Sequence, residues 1–337
     1  MSDNTSAGAA EPRPNAPRDL VERYRVMARI RAFEEAAEAA HKEGLVKGSL
    51  HLYIGEEAIG AGVCGNLRDS DLITSNHRGH GHTLAKGADP TAMFKELFGR
   101  AGGTSDGKGG SMHIADFSVG MLGANGIVCA GIPIAVGAAQ GKRMLGEDCV
   151  VACFFGDGAA NRGPFMEGLN WSRIYDLPVL FVCEDNQYAA TTRAADVTGG
   201  DGPAARAESL GIPGYVLDGN DLVAIDARVR DLVDGMRDGA GPALIHCRTY
   251  RHRGHTTSDK EIYRTREEVA SHVEGDPIPR CRAYLLDNGI EASELSAIDT
   301  AAQDEMAAAV EAAKAAPMPD VTLAYTDVQD VGAETWR

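Results

Sequence analysis

The chain has 337 residues, of which 44% are hydrophobic and 24% charged, and its formal net charge at pH 7 is −16. This length and apolar content suit one large or two smaller α/β domains, and no apolar run approaches the roughly 20 residues that a membrane-spanning helix needs. The strong negative charge argues against nucleic acid and anionic membrane surfaces as partners.

The first 18 residues are polar, rich in proline and alanine, and without the apolar core of a secretion signal. We therefore predict a disordered leader over residues 1–18. The seven cysteines form no C-x-x-C pair, and Cys149, Cys153, Cys183 and Cys247 lie in apolar runs. They are expected to be small buried residues of a cytoplasmic protein, with a catalytic thiol as the alternative.

Two helices are predicted in the N-terminal part, over residues 20–43 and 56–67. His51, between them, is either a hydrogen-bonded core residue or a functional one. A short strand over residues 71–75 leads into SNHRGHGH, which holds three histidines and one arginine. No cysteine or carboxylate completes a close metal cluster, so we favour an anion site at Arg78, whose guanidinium can fork onto phosphate oxygens.

A helix over residues 90–98 is predicted next, and the glycine-rich segment 99–110 follows it. From its composition, this segment is a flexible surface loop, and it leads into His113. Residues 131–145 form another predicted helix, whose small residues suit close packing against a sheet or a partner.

The centre of the chain, residues 150–188, predicts a strand–helix–strand unit. An apolar run ends in GDG at residues 156–158, a helix-like segment follows, and a second apolar run over residues 179–183 ends in EDN at residues 184–186. Parallel strands joined in this way are adjacent or nearly so, and ligands of open parallel sheets lie at the carboxyl edge of the strands.

The two strand ends carry hard oxygen ligands, the carboxylate of Asp157 and the amide of Asn186. Mg²⁺ is usually held by such groups together with water and phosphate oxygens. The glycines let the backbone approach a ligand, and the helix after Gly158 presents free N–H groups to an anion. The sequence therefore predicts a Mg²⁺–diphosphate ligand, the alternative being an ordinary turn and an asparagine at a strand end.

Beyond a polar loop at residues 189–203, strands are predicted over 214–217 and 243–247. The helix between them runs to Met236, with Asn220 or Asp221 as its N-cap. The alternation of strands and helices predicts an α/β fold with a doubly wound parallel sheet flanked by helices.

A basic segment, residues 248–260, follows the last predicted strand, and the chain from Tyr263 onward is expected to be helical and acidic. The basic segment is either a solvated charged loop or part of a site. We predict a single domain over residues 19–325 and a tail over residues 326–337.

Several motifs resemble the alpha subunit of the thiamine diphosphate-dependent decarboxylating dehydrogenase component of 2-oxo-acid and acetoin dehydrogenase complexes. GDG, 26 residues and an asparagine-containing pair look like the thiamine diphosphate signature, and HLYIGEEA, KGGSMH, GDGAANRG and FVCEDNQYA also resemble this family. HRGHGH and GMLGAN are closest to the acetoin branch, since pyruvate-type members usually have Tyr at the position of His77. The resemblance extends from about Leu20 to Tyr325 and implies the thiamine diphosphate-binding fold.

The resemblance implies a site for thiamine diphosphate and Mg²⁺. It gives the metal three ligands: Asp157, Asn186 and the main-chain carbonyl of Tyr188. The full set of cofactor-binding residues that we predict is His77, Arg78, Gly126, Ile127, Val128, Gly156, Asp157, Gly158, Ala159, Asn186, Tyr188 and His255. His80 and His255 are the predicted proton relays. The resemblance also implies that KGGSMH is a fixed loop near the cofactor, the alternative to a flexible surface loop, with His113 as a third candidate catalytic residue.

The chain departs from the family pattern at two of the quoted motifs. Asp185 stands where the family usually has a first asparagine, and it would either bring extra negative charge near the metal or turn away into a hydrogen bond. Cys129 stands where the family usually has glycine after Val128.

The resemblance also implies the reaction and the partners. The family cleaves a carbon–carbon bond next to a carbonyl, in acetoin or a related substrate, and passes the acyl unit to the lipoyl arm of an acyltransferase. We expect no beta-like half in this chain, and therefore a separate beta subunit, an α₂β₂ heterotetramer, and an isolated chain that is inactive. The alternatives are a pyruvate or branched-chain 2-oxo-acid dehydrogenase alpha subunit and a non-catalytic thiamine- or nucleotide-binding module.

Overall fold

The computed structural model describes residues 15–326. Seven strands are formed: β1 (Leu72–Thr74), β2 (Val151–Gly156), β3 (Val179–Asp185), β4 (Tyr188–Ala189), β5 (Thr192–Arg193), β6 (Gly214–Asp218) and β7 (Ala243–Arg248). The α-helices are α1 (Pro17–Lys42), α2 (Glu57–Cys64), α3 (Gly79–Ala85), α4 (Pro90–Leu97), α5 (Gly131–Leu145), α6 (Gly163–Ile174), α7 (Ala194–Val197), α8 (Pro203–Glu208), α9 (Leu222–Arg237), α10 (Arg266–Val273), α11 (Pro277–Asp287) and α12 (Ala292–Ala315). Short 3₁₀ helices span Ser111–His113, Phe117–Val119, Asp157–Asn161 and Val321–Tyr325.

Five strands form one parallel sheet in the order β1-β2-β3-β7-β6, and β4 and β5 form a small antiparallel pair. β2 and β3 are direct neighbours, with Val151 opposite Val179 and Gly156 opposite Glu184. The predicted strand–helix–strand unit is therefore confirmed, and the carboxyl ends of its two strands lie side by side.

The sheet is covered by helices on both faces. Successive side chains along β2 belong alternately to two apolar clusters, one on each face. In β2, Ala152 and Phe154 belong to the cluster that also contains α1, α2 and α9, whereas Val151, Cys153 and Phe155 belong to the cluster with α5, α6 and α8. Side chains on a strand point alternately to opposite faces, so a continuous apolar run feeds two cores. The predicted doubly wound α/β fold is confirmed.

Most predicted helices occur with ends shifted by a few residues. α1 begins three residues before the predicted start because Pro17 occupies its first turn, where a missing N–H costs nothing. α2 ends at Cys64, short of the predicted Leu67. The N-cap of α9 is Asp221, whose side chain accepts from the Ala224 amide. The predicted leader and tail lie almost entirely outside the described residues.

Helix α3 was not predicted, because its first residues form a glycine–histidine segment without helical apolar spacing. The glycines are needed by packing: a side-chain carbon added at Gly81 would lie 2.1 Å from Cδ1 of Tyr53, and one at Gly79 would lie 2.6 Å from the Ala124 side chain. Within residues 15–326 we find no helix that is long and apolar enough to span a bilayer.

Candidate functional site

A cavity of about 360 Å³ lies at the carboxyl edge of the sheet, against the ends of β2 and β3. Of the predicted cofactor-binding residues, those that line it are His77, Arg78, Gly126, Val128, Gly156, Asp157, Gly158, Ala159, Asn186, Tyr188 and His255. Ile127 is not part of this wall; its side chain is 69% exposed beside the mouth. The structure thus brings together residues that are more than 170 positions apart in the chain.

The two predicted metal ligands project from neighbouring strand ends. Asp157 begins the 3₁₀ turn after β2, is 7% exposed, and its Oδ2 has no hydrogen-bond partner within residues 15–326. Asn186 follows β3, and its Nδ2 donates to Oε1 of Glu56 over 3.0 Å. This bond orients the amide so that Oδ1 faces the Tyr188 N–H, 3.4 Å away. One carboxylate oxygen and one amide oxygen are therefore available to a cation.

The third predicted ligand, the Tyr188 carbonyl, already accepts a hydrogen bond from Nη1 of Arg251 over 3.2 Å. A carbonyl oxygen has two lone pairs, so a metal ion could share it. The turn that presents this carbonyl is strained, since Gln187 and Ala190 have φ values of +71° and +55°. Such conformations cost free energy and persist where the surrounding structure requires them.

The environment of Asp157 favours a bound cation. Burial, followed by the negative charge of Asp185, raises the pKa of the Asp157 carboxyl to about 6. A divalent ion would supply the missing positive charge, and the donors are the hard oxygens that Mg²⁺ prefers. Asp157, Asn186 and the Tyr188 carbonyl therefore fit a magnesium ion.

Asp185, the departure from the family pattern, turns away from the cavity wall. Its Oδ2 accepts from Nε2 of His246 over 2.8 Å, and its Oδ1 accepts from the Gln187 amide over 3.1 Å. Both possibilities that the sequence left open therefore hold: Asp185 is hydrogen-bonded away from the wall, and its charge still acts on Asp157. His246 was not among the predicted site residues, although a histidine inside the apolar run of β7 was a usable signal.

Arg78 also lines the cavity and is 2% exposed. Its Nη1 donates to the Leu52 carbonyl over 2.7 Å, and its Nη2 lies 3.2 Å from the carbonyl and 3.3 Å from Nδ1 of His255. Burial, followed by the charge of Arg251, lowers the pKa of Arg78 to about 10, so the side chain remains charged at neutral pH. A buried cation facing a cavity is suited to an anionic ligand.

Three histidines meet beside Arg78. The ring centroids of His51 lie 4.7 Å from His77 and 4.8 Å from His255, and those of His77 and His255 are 5.4 Å apart. Burial, followed by the charge of Arg78, lowers the pKa of all three imidazoles. The pKa falls to about 3 for His51, about 2 for His77 and about 4 for His255, so all three are neutral at pH 7. The sequence left His51 open between core and function, and the structure places it in the cavity wall.

Two predicted catalytic histidines lie outside this wall. His80 is fully buried, with Nδ1 3.2 Å from the Glu34 carboxylate and Nε2 3.0 Å from the Ser111 hydroxyl. His113 is exposed, and its Cε1 lies 3.3 Å from where a side-chain carbon at Gly126 would be. Both ring nitrogens of His80 contact protein groups, and its role as a proton relay stays a prediction.

Two buried acids were also missed by the sequence analysis. Glu56 and Glu184 both line the cavity and are 0% and 1% exposed. Glu184 accepts from Nε2 of His82 over 2.7 Å, and Oε2 of Glu56 has no partner among the described residues. Burial and the charge of Glu184 raise the pKa of Glu56 above its ordinary value. The pair of consecutive glutamates after HLYIG was the sequence signal for Glu56, and the EDN strand end was the signal for Glu184.

The basic segment after β7 is ordered around Arg251, which is 1% exposed. Besides the Tyr188 carbonyl, Arg251 donates to the Ala190 carbonyl over 2.9 Å and to the Tyr263 hydroxyl over 2.8 Å. The segment is therefore not a freely solvated loop. It is fastened to the same turn that carries the predicted metal ligands.

Comparison with known proteins gives a consistent result over most of the chain. A family model described as dehydrogenase E1 component matches residues 25–322. The chain is 43% identical over 306 residues to the alpha subunit of the acetoin:2,6-dichlorophenolindophenol oxidoreductase of Bacillus subtilis (strain 168), covering 90% of this chain and 92% of that protein. The protein of the same description from Cupriavidus necator is 43% identical over 307 residues, with the same two coverages. The pyruvate dehydrogenase E1 component subunit alpha of Rhizobium meliloti (strain 1021) is 39% identical over 312 residues, covering 92% and 90%.

Proposed function

This chain belongs to the dehydrogenase E1 component family, and from that premise we propose that it is the alpha subunit of a thiamine diphosphate- and Mg²⁺-dependent oxidoreductase acting on acetoin or a related substrate. The observation that carries this proposal is the convergence of Asp157, Asn186 and Arg78 on one cavity. A carboxylate and an amide at two adjacent strand ends share one cavity with a buried guanidinium, which suits a metal ion together with a diphosphate.

The residues that line the cavity would have separate roles in binding the metal ion and the diphosphate. Asp157, Asn186 and the Tyr188 carbonyl would hold Mg²⁺, and Arg78 with His77 and His255 would hold the diphosphate. When bound, thiamine diphosphate supplies the electron sink that cleavage of a carbon–carbon bond beside a carbonyl requires. Because Nδ1 of neutral His255 accepts from Arg78, its hydrogen is on Nε2, and His255 would act as a donor in the cavity.

Acetoin is the substrate that we favour, supported by the names of two relatives at 43% identity. His77 at the position where pyruvate-type members usually have Tyr agrees with this choice. The second candidate is a 2-oxo acid such as pyruvate, which a relative at 39% identity acts on by its name. Pyruvate carries a carboxylate where acetoin carries a 1-hydroxyethyl group. Residues that the partner subunit adds to the pocket would therefore also affect the substrate preference.

A separate beta subunit is the proposed partner, supported by an apolar outer surface on α5 and α6. Ile134, Leu145, Trp171 and Ile174 are 46–73% exposed there. Gly137, also on α5, has no atom within 4 Å of where a side-chain carbon would be. Large exposed apolar patches mark protein contacts, and open glycines allow a second helix to approach closely.

The proposed complex is an α₂β₂ heterotetramer that passes its acyl group to a lipoyl-bearing acyltransferase. The position of the basic segment beside the cavity agrees with a lipoyl docking role. We also propose that the complex works in the cytoplasm, in keeping with seven cysteines that are all unpaired.

The proposal can be tested with the chain reconstituted with a family beta subunit. We expect reduction of a dye acceptor with acetoin, and faster turnover with pyruvate would shift the assignment to the second candidate. Tight binding of thiamine diphosphate and Mg²⁺ by calorimetry without any turnover would instead favour a non-catalytic module. We expect Asp157→Ala to weaken Mg²⁺-dependent cofactor binding by at least about 100-fold, whereas Asp196→Ala, an exposed carboxylate on α7, should leave it unchanged.

A further inference from the structure

His51, His77 and His255 form a compact group of imidazoles that is larger than diphosphate binding requires. We propose that these three histidines form a site for a borderline transition-metal ion such as Zn²⁺, and that, on the cofactor assignment proposed above, this ion and thiamine diphosphate exclude one another. Neither the magnesium ligands nor the diphosphate contacts predict such a site.

The geometry of the group is close to that of a three-histidine metal site. The potential ligand atoms of the three side chains all lie within 4.8 Å of one another. A tetrahedral zinc ion with Zn–N distances of about 2.0–2.1 Å needs nitrogens roughly 3.3 Å apart. The difference is about 1.5 Å, which small rotations of the rings could close.

The nitrogens of two of these rings are without protein partners. Nδ1 of His51 is buried and has none in the described part of the chain, and the His51 residue is only 5% exposed. The His77 ring makes no hydrogen bond between residues 15 and 326. Buried polar groups are nearly always satisfied, so the buried and unpartnered Nδ1 of His51 indicates a missing ligand.

The protonation state of the rings also suits a metal ion, which binds the neutral imidazole. The pKa values of all three histidines are lowered far below 7 by burial and by Arg78. A metal ion would therefore not have to displace protons at neutral pH, in contrast to most exposed histidine clusters.

Two nearby cations, Arg78 and Arg251, work against metal binding. Arg78 lies 3.3 Å from Nδ1 of His255, so that ring must give up one hydrogen bond or change its tautomer to bind a metal. Arg78 would keep its contacts to the Leu52 and His255 carbonyls. Glu56, 4.0 Å from Nε of Arg78, offsets this repulsion only when it is ionised, because burial raises its pKa to about 8. We therefore expect a readily reversible site.

The chemistry of the ligands separates the two ions. Imidazole nitrogen suits Zn²⁺, Co²⁺, Ni²⁺ and Cu²⁺, whereas Mg²⁺ prefers carboxylate, carbonyl and phosphate oxygens. Mg²⁺ would thus go to Asp157 and Asn186, and a borderline ion would go to the histidines. Since the histidines adjoin Arg78 on the wall assigned to the diphosphate, an ion there would block the cofactor.

The experiment is a titration of the full chain, free of cofactor, with Co²⁺ as a spectroscopic probe, followed by displacement with Zn²⁺. We expect a visible absorption band that saturates at one ion per chain. His77→Tyr and His51→Gln should each weaken binding by at least about tenfold, while His41→Gln, which removes a histidine outside the group, should not change it. Thermal melting of each variant establishes that it is folded.

A second arm adds thiamine diphosphate and Mg²⁺ to the cobalt-loaded chain, and we expect the visible band to be lost. Absence of a band, or a band unaffected by His77→Tyr, would overturn the metal site. A band that the variants abolish but the cofactor does not displace would overturn the exclusion. These readouts need no turnover, so an inactive reconstituted complex would count against the proposed function and leave the metal site standing.

Discussion

Cys129 shows at the scale of one residue how the cavity wall is strained. Its φ is +79°, a left-handed conformation that glycine adopts freely and a residue with a side chain rarely does. This explains why the resembled family usually has glycine at this position. The thiol is 6% exposed in the cavity wall, and burial raises its pKa to about 11, which makes it a poor nucleophile.

A pair of substitutions separates this strain from the loss of the thiol. We expect Cys129→Gly to be more stable than Cys129→Ala by about 1 kcal/mol, because only glycine relieves the left-handed backbone. The measurement is urea denaturation of both variants. In the matched pair at Cys153, which lies in β2, glycine should be the less stable by about the same amount. If the glycine and alanine variants ranked in the same order of stability at Cys129 and at Cys153, backbone strain at Cys129 would be contradicted.

Glu56 acts on the predicted metal site through Asn186. Removing its carboxylate leaves the Asn186 amide without the acceptor that orients it, so we expect Glu56→Ala to weaken Mg²⁺ binding in the presence of thiamine diphosphate by about 10- to 100-fold. Calorimetric titration measures this affinity. Glu56→Gln keeps an acceptor and should recover most of it, and equal losses in both variants would show that the charge, not the orientation, matters.

His77 gives the folded protein a specific pH dependence. Its pKa is about 2 when folded and near 6.5 when unfolded, so between these values the unfolded chain binds the extra proton. The corresponding stability is complete above about pH 6.5 and is lost as the pH falls toward the folded pKa. We expect the drop in unfolding free energy from pH 7 to pH 5 to be roughly 1 to 2 kcal/mol larger for the wild type than for His77→Tyr. Denaturation at the two pH values measures it, and titrating groups other than the neighbouring His51 and His255 cancel in the comparison.

At the scale of elements, helix α4 organises the glycine-rich loop that follows it. The buried carboxylate of Glu96 accepts from the amides of Ser105 and Gly107 at one oxygen and from Gly109 and Gly110 at the other, over 2.7–3.0 Å. The loop is therefore not the flexible surface segment that its composition predicted. It delivers Ser111 to His80, which links it to α1 through Glu34.

We expect Glu96→Gln to destabilise the chain by about 2 to 4 kcal/mol, since an amide NH₂ would face two backbone N–H donors. Limited proteolysis should then cut within residues 99–110, where the wild type resists. Glu267→Gln, an exposed glutamate on α10, is the control and should change neither readout. An uncut Glu96→Gln loop would contradict the anchoring role.

The elements that could be predicted from the sequence are those with uniform local signals. The β2–α6–β3 unit, α5 and the N-cap of α9 follow from apolar runs and capping residues. Helix α3 could not be predicted, because its glycines are required by Tyr53 and Ala124, which contact it only in the folded chain. His51, Glu56 and His246 escaped the site prediction for the same reason, since their roles depend on strands and loops far away in sequence.

At the scale of the whole molecule, the apolar outer surface of α5 and α6 makes the partner contact testable. Gly137→Leu has room for its side chain and improves helix propensity, so the isolated chain should be as stable as the wild type or up to about 1 kcal/mol more stable. Co-elution with the beta subunit should nevertheless be lost. Asp234→Leu, on the exposed side of α9, should assemble normally, and normal assembly of Gly137→Leu would argue against this surface as the contact.

The mouth of the cavity, where Ile127 and Val128 are 69% and 49% exposed, has a consequence for expression levels. If a second polypeptide completes the pocket, the amount of active enzyme depends on the ratio of the two chains. With the proposed partner in short supply, surplus copies of this chain would bind vitamin-derived coenzyme and magnesium without yielding product. Matched synthesis of the two polypeptides would then govern flux as strictly as any property of the catalytic groups.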